Sequence, residues 1–347
     1  MLGLDTRAAR AAWTVFLVAL ALGVAYLLRR VLLVFVLAIL FAYLLSPVVN
    51  LVDRFLPRRR SRNWALAGVY VALIAVLVLL GAAVGAEVGR EAANLEKGFP
   101  DLLKKMEQAL EAPGPPWLDP AKRHLLELLR GGAPDLTREA LPLLEKATAH
   151  VVAVLSGALL VVLIPILAFF FLKDGAGLRA AALGMVSPKQ RAMLEDISAD
   201  LHRLLGQFIR ALVLLALATL AAYGVFFALI GMPYGVLLAS VAAALEFIPM
   251  VGPAAAVVLI ALVAAFSGFG HVLLILAFLV GYRIFQDYIL NPRLMSAGAA
   301  LHPLLVIFGA LAGGQIAGIP GMFLSVPVLA TLRVIWVRAR KAAATAG

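Results

Sequence analysis

The stretch Leu245-Glu246-Phe247-Ile248-Pro249-Met250-Val251-Gly252-Pro253 decides how this chain is read. It interrupts the run 233–266, which is otherwise almost wholly apolar. A carboxylate at membrane depth costs about 2.5 to 3.5 kcal/mol on insertion scales. Two prolines and a glycine just beyond it cannot sit in an uninterrupted helix, because proline removes a backbone donor and clashes with the preceding turn. Unwound backbone at that depth is tolerated only against protein or a water-filled cavity. The stretch therefore reads as a transport site in a broken membrane helix. Its two arms, of roughly 14 and 13 residues, reach about 20 Å each at 1.5 Å rise, too short to cross a bilayer singly.

Composition sets the solvent. Of 347 residues, 64% are hydrophobic and 14% charged, and the mean hydropathy is +1.02, so polar groups cannot cover a water-soluble globule. The formal net charge of +11 gathers in short gaps between apolar runs, which is how a membrane protein orients itself, and it does not point to nucleic acid. With no cysteine, disulfides, thiolate metal sites and cysteine catalysis are excluded.

Outward from the break, the chain divides by polarity. Residues 1–89 hold N-terminal transmembrane helices: 11–28, 31–52 and, after the basic cluster 53–62, a run from Trp64 to Val88. The cluster is expected on the cytoplasmic side. Residues 90–147, with acids and bases nearly balanced, carry extracytoplasmic amphipathic helices marked by Phe99, Leu102, Leu103, Met106 and Leu110 and by a second stripe behind Asp119. They read either as a cap or oligomer contact or as a ligand-binding module. Residues 148–175 return through the membrane, and 176–207 form a cytoplasmic amphipathic helix, with Leu194, Ile197, Leu201, Leu204 and Phe208 marking its apolar face. Residues 208–337 are the transport core and 338–347 a basic cytoplasmic tail.

The core contains a second broken run, 301–337, in which Gly313-Gly314-Gln315-Ile316-Ala317-Gly318-Ile319-Pro320-Gly321 interrupts the helix and Pro327 interrupts the arm beyond it. Two broken segments flanking an ordinary span are the pointer to paired re-entrant hairpins in a secondary transporter. With hairpins there are six crossings and with full spans eight; both place the termini inside. The hairpin arrangement puts Asn291-Pro292-Arg293 on the cytoplasmic side, where an arginine is preferred.

Few side chains there can carry chemistry. Glu246 reads as a proton- or cation-sensing group or as a cap for the amides of the following arm. Asp287 reads as the neutralising partner of Arg283 or as a coupling group, with Gln286 beside it. Gln315 either meets substrate or satisfies freed backbone groups. His302 titrates near neutral pH and is either a gating or a structural residue. No glycine precedes a lysine, so a phosphate-cradling Walker loop is absent; His-Glu-x-x-His and Gly-x-Ser-x-Gly motifs are absent too. The chain does not read as an enzyme, and no cofactor or resident metal is expected.

The stretches Phe169-Phe170-Phe171-Leu172-Lys173-Asp174-Gly175, Phe247 to Pro253, Leu290-Asn291-Pro292-Arg293-Leu294-Met295, His302-Pro303-Leu304 and Gly318 to Pro327 resemble, in order and spacing, the AI-2E family of bacterial transporters. The resemblance implies a multi-pass permease of the inner membrane, a homo-oligomer, specifically a pentamer, and a fold similar to elevator-type carriers. It further implies export of autoinducer-2, a small furanone-derived polyol, or, as in other members, sodium or lithium ion/proton antiport. The hairpin turns fall at 247–253 and 318–327. Many members carry an acidic residue and an asparagine just before the Pro292 position and a glycine after the Met295 position. Gln286-Asp287-Tyr288 and Ser296 stand here instead, a departure that bears on the substrate.

The expectation is thus an all-helical membrane protein with six to eight membrane segments, two of them Gly/Pro-broken. Its substrate- or ion-binding set is Glu246, Phe247, Pro249, Gly252, Pro253, Gln286, Asp287, Asn291, Gln315, Gly318, Pro320 and Gly321, with Arg283 and His302 in coupling or gating. A transported sodium ion is the one metal this set admits. A membrane scaffold acting through the extracytoplasmic helices is the reading from another class.

Overall fold

A computed structural model describes residues 6–55, 62–112, 158–294 except 268, 301–344 and, within 119–127, all but 121 and 125. Most of the basic cluster 53–62, residues 128–157 of the expected extracytoplasmic and returning segments, and Met295 and Ser296 lie outside the described residues. Among the described residues every regular element is helical. Five helices are long and apolar enough to cross a membrane: Arg29–Phe55, Asn63–Glu111, Gln190–Ile230, Val272–Leu294 and Pro303–Arg340. The chain is a multi-pass membrane protein, and its exposed leucines, valines and aromatics are what a lipid-facing surface requires.

In chain order the elements are α1 (Thr6–Leu27), α2 (Arg29–Phe55), α3 (Arg62–Glu111), α4 (Ala158–Gly184), α5 (Pro188–Ile230), α6 (Gly235–Leu245), α7 (Val251–Phe266), α8 (Val272–Phe285), a π-helical turn (Gln286–Leu290), α9 (Asn291–Leu294) and α10 (Pro303–Ala344). Two changes of polarity along the chain fall inside helices. The change of polarity at residue 90 falls inside α3, a single helix of 50 residues, and the amphipathic segment 188–208 continues without a break into the apolar span as α5. In both places good helix formers run through the polarity change, so the surroundings alter while the backbone does not. Nor does Pro327 end a helix, for α10 runs through it.

Buried side chains form separate clusters. One joins α2, α3 and α4 through Leu45, Val49, Leu66, Val69, Ala168 and Leu172, with the Tyr70 hydroxyl donating to the Pro165 carbonyl at 3.0 Å. Another joins α5 to α8 through Tyr223, Phe227, Leu238, Ile260, Ile275 and Leu279. Leu40, Ile209 and Leu324 bridge α2, α5 and α10. At the polar end of α10, Arg338 binds two α5 carboxylates, Asp196 at 2.9 Å and Asp200 at 2.6 Å.

Both broken runs fold back on themselves. α5 ends in a Schellman-type cap, with Gly231 at φ 66° and the Met232 amide bonded to the Phe227 carbonyl. α6 then starts afresh, its Leu237 amide donating at 2.7 Å to the Glu91 carboxylate of α3, which supplies an acceptor that no side-chain cap provides. α6 has 11 residues and α7 has 16, and they pack together in the α5–α8 cluster. In α10 the helix is broken at Ala317 (φ −142°) and Gly318 (φ 63°, ψ −145°), the second a conformation that only glycine adopts readily. A Cβ on Gly313 would lie 2.2 Å from the Gly321 carbonyl oxygen, and one on Gly309 would meet Leu329 and Ser325. Those contacts require the arms before and after Gly318 to run side by side.

Candidate functional site

The break between α6 and α7 is held by its own backbone. Ile248 and Gly252 amides bond to the Leu245 and Ile248 carbonyls, and the Val251 amide reaches the Pro249 carbonyl at 2.7 Å. That last bond closes a γ-turn with Met250 at φ 63°, ψ −48°, a strained conformation for a residue with a side chain. Gly252 is required by close approach, since a Cβ there would lie 1.8 Å from the Leu245 carbonyl oxygen.

Glu246 is the last group before this turn, and only 7% of it is exposed. Each carboxylate oxygen has a donor: Thr219 Oγ1 of α5 at 3.1 Å on Oε1 and Gln286 Nε2 of the π turn at 2.9 Å on Oε2. The Tyr282 hydroxyl lies 3.0 Å from Thr219 Oγ1. With Thr219 donating to Glu246, Tyr282 is the donor in that contact. Thr219, Gln286 and Tyr282 are all buried, so a lone carboxylate is embedded in a satisfied polar cluster. Glu246 does not cap the following arm, the alternative that its place in the sequence allowed. Its oxygens face α5 and the π turn, and α7 starts without a side-chain cap.

The π turn has a local cause. Proline at 292 would clash with the carbonyl four residues back in a regular helix, and the preceding turn widens so that the Asn291 amide bonds to the Gln286 carbonyl. Such bulges recur at functional sites. Here the turn carries Gln286 against Glu246, while Asp287 is engaged on its own helix face. Asp287 accepts from Arg283 Nε at 2.8 Å and from Asn291 Nδ2 at 3.1 Å. The Arg283 pair, one of the two readings of Asp287, is thus formed in this conformation.

A cavity of about 330 Å³ opens beside the cluster. Glu246, Pro249, Pro253, Gln286, Asn291 and Arg283 line it, together with Met250. Its other walls come from α5 and from both arms of α10. The chemistry on offer is a protonatable carboxyl, three amides (Gln207, Gln286 and Asn291) and a guanidinium in a mainly apolar chamber. The hydroxyl chain Tyr282–Thr219–Glu246 can reverse its donors when the carboxyl gains a proton, because a hydroxyl both donates and accepts.

The second break contributes differently. Gln315, Gly318 and Pro320 are exposed, Gly321 is buried against Gly313, and none of the four lines the cavity. Phe247 connects the two broken segments through an edge-on contact with Phe323, 5.9 Å between ring centres. His302 accepts the Leu304 amide on Nδ1 at 3.2 Å, a helix-start role at an exposed position. Thr219 and Tyr282 were not singled out from the sequence. The available signal was a threonine at the middle of the apolar run 209–230 and a tyrosine placed well inside another.

Comparisons with known proteins agree with this architecture. Residues 15–341 match the profile of the AI-2E family transporter. The AI-2 transport protein TqsA of Escherichia coli (strain K12) is 27% identical over 86% of this chain and 83% of its own length. PerM of the same organism, which carries a provisional permease name, is 27% identical over 90% of this chain and 88% of its own. YrrI of Bacillus subtilis (strain 168), provisionally named a transport protein, is 28% identical over 56% of this chain, a match that spans about half of its length, 55%. A family match along almost the whole chain, on a fold with apolar spanning helices around a buried carboxylate, establishes that this protein belongs to the AI-2E family of transporters.

Proposed function

We propose that the protein is a secondary transporter of the bacterial inner membrane, with cytoplasmic termini, that exports a small polar organic molecule such as autoinducer-2. Glu246 is its proton- or cation-sensing group. The observation that carries this reading is the buried carboxylate, held by Thr219 and Gln286 at the wall of a cavity that the α6–α7 break helps to form. A chamber of about 330 Å³ has room for a small organic solute with its polar contacts, far more than a bare ion needs. The name of TqsA, a relative matched over most of both chains, supports autoinducer-2 as the first solute to test.

In this reading α6–α7 and the two arms of α10 form re-entrant hairpins; α6, α7 and the α10 arm before Gly318 are each too short to span alone, and the arm after Gly318 is long enough to lead on to the basic tail. The separate buried clusters of α2–α4 and α5–α8 supply a static and a moving part for an elevator-type cycle. Assembly is as a homo-oligomer, a pentamer. Asp287 pairs with Arg283 and Asn291, so in this reading it balances the Arg283 charge and leaves the sensing of protons or cations to Glu246.

The test is transport by purified protein in proteoliposomes under an imposed pH gradient, comparing autoinducer-2 flux with sodium-dependent proton flux. Saturable autoinducer-2 flux is expected. Sodium-coupled proton movement alone would instead make the protein a cation/proton antiporter, and neither signal would turn attention to a scaffold acting through residues 90–147.

A further inference from the structure

Among the described residues one buried side-chain polar atom has no hydrogen-bond partner: Oε1 of Gln207. Gln207 lies on α5, about three turns before Thr219, and its side chain lines the cavity that holds Glu246, Gln286 and Asn291. Its neighbours on that wall are Leu204, Leu205, Phe208 and Leu212, none of which carries a side-chain donor. Buried polar groups in native proteins are almost always paired, and an orphan in an apolar setting calls for a reason. Glu246 cannot serve as its partner, because an amide oxygen needs a donor and the Glu246 carboxylate, accepting from Thr219 and Gln286, has no proton to give. Gln207 thus lines the chamber from α5 with its amide oxygen sealed off and unpaired, and a half-turn of the amide exchanges Oε1 for Nε2 at that point.

Building on the transporter reading above, we propose that Gln207 is a specificity-determining residue that binds a hydroxyl group of the transported solute. A hydroxyl fits an amide in either orientation, since it can donate to Oε1 or accept from Nε2. The solute lies between α5 and the π turn, with Gln207 on one side and Gln286 and Asn291 on the other. A site built to pair with a solute hydroxyl selects against molecules that lack one, because its own polar group is then left unpaired.

Gln207→Met keeps the length of the side chain and removes its amide. The probe is autoinducer-2 in proteoliposomes, read as concentration-dependent uptake alongside thermal unfolding of the solute-free protein. The expected result is a KM raised about tenfold with the maximal rate preserved, and a melting temperature equal to or above that of the unaltered protein, because an unpaired buried amide has gone. A merely structural amide gives the opposite pattern, a lower melting temperature with KM unchanged, and that result overturns the assignment. So does an unchanged KM at unchanged stability, which leaves only water at Gln207. Where the unaltered protein moves autoinducer-2, failure of the variant to differ removes the Gln207 contact alone. Where it moves none, the organic-solute reading falls and the contact falls with it.

Discussion

Replacing Gly252 by alanine tests whether the tight break after Glu246 sets the geometry of the site. An alanine Cβ would lie 1.8 Å from the Leu245 carbonyl oxygen and 2.8 Å from its carbon, whereas real Cβ contacts essentially never fall under 3.0 Å. The opposing atoms are backbone, so the turn itself must open by about 1 Å to clear such a contact. Leu245 O and Ile248 O accept the two amide bonds that hold the break, and opening weakens both. Overpacking of this kind costs about 1 to 3 kcal/mol and each backbone bond about 1 kcal/mol, which places Gly252→Ala roughly 3 to 5 kcal/mol below the parent. Because Glu246 follows Leu245 directly, the carboxylate is displaced from Thr219 and Gln286, and transport should fall roughly tenfold or more. The control is Gly281→Ala in α8, where a Cβ meets nothing within 4 Å and helix propensity gains about 0.5 to 1 kcal/mol. Thermal unfolding of the purified proteins in detergent, together with autoinducer-2 uptake, reads both effects. If Gly252→Ala is as stable and as active as Gly281→Ala, the reasoning from backbone contact is wrong.

The same contacts predict other outcomes. Thr219→Val keeps the shape of the residue but removes the donor to Glu246 Oε1 and the acceptor for Tyr282; with hydrogen bonds to charged groups worth about 1.5 to 3 kcal/mol, proton-driven uptake should drop roughly tenfold while assembly, measured by size-exclusion chromatography, is unchanged. Asp287→Asn leaves Arg283 without its carboxylate and should lower thermal stability, whereas Arg283→Gln combined with Asp287→Asn should recover part of the loss in a double-mutant cycle. Met250→Gly relieves a strained positive-φ residue worth about 1 to 3 kcal/mol, so its melting temperature should rise; a fall would mean that the Met250 side chain, not the turn, holds the break.

The two breaks were legible because prolines and glycines cluster there, Pro249, Gly252 and Pro253 at one and Gly318 and Pro320 at the other, whereas the single prolines Pro47, Pro100, Pro165 and Pro327 stay inside continuous helices. Glu246 was legible for the same kind of reason, as a lone charge in an apolar run. Its threonine partner was not. Thr219 reaches it from 27 residues away, and a threonine in an apolar helix is equally able to bond its own preceding carbonyl; Gln286, 40 residues away, was legible as a site residue but not as the donor to Glu246. The changes of polarity after residues 89 and 207 divide the chain by its surroundings and not by its backbone, since Glu91-Ala92-Ala93-Asn94-Leu95-Glu96-Lys97 is a helical sequence in water as well as in lipid. The second break was placed correctly, yet Gln315 stays out of the cavity, because glycines at 313 and 321 let the backbones meet and leave no room for a side chain between them.

The most direct measurement compares two modes of transport by Glu246→Gln in proteoliposomes. Glutamine keeps an acceptor for Thr219 and the size of the side chain but cannot carry the charge or exchange the proton. The account predicts that exchange of autoinducer-2 across the membrane at equal pH continues near the parental rate, while accumulation driven by a pH gradient is abolished. Accumulation that still tracks the pH gradient in the variant would contradict it and place the coupling group elsewhere.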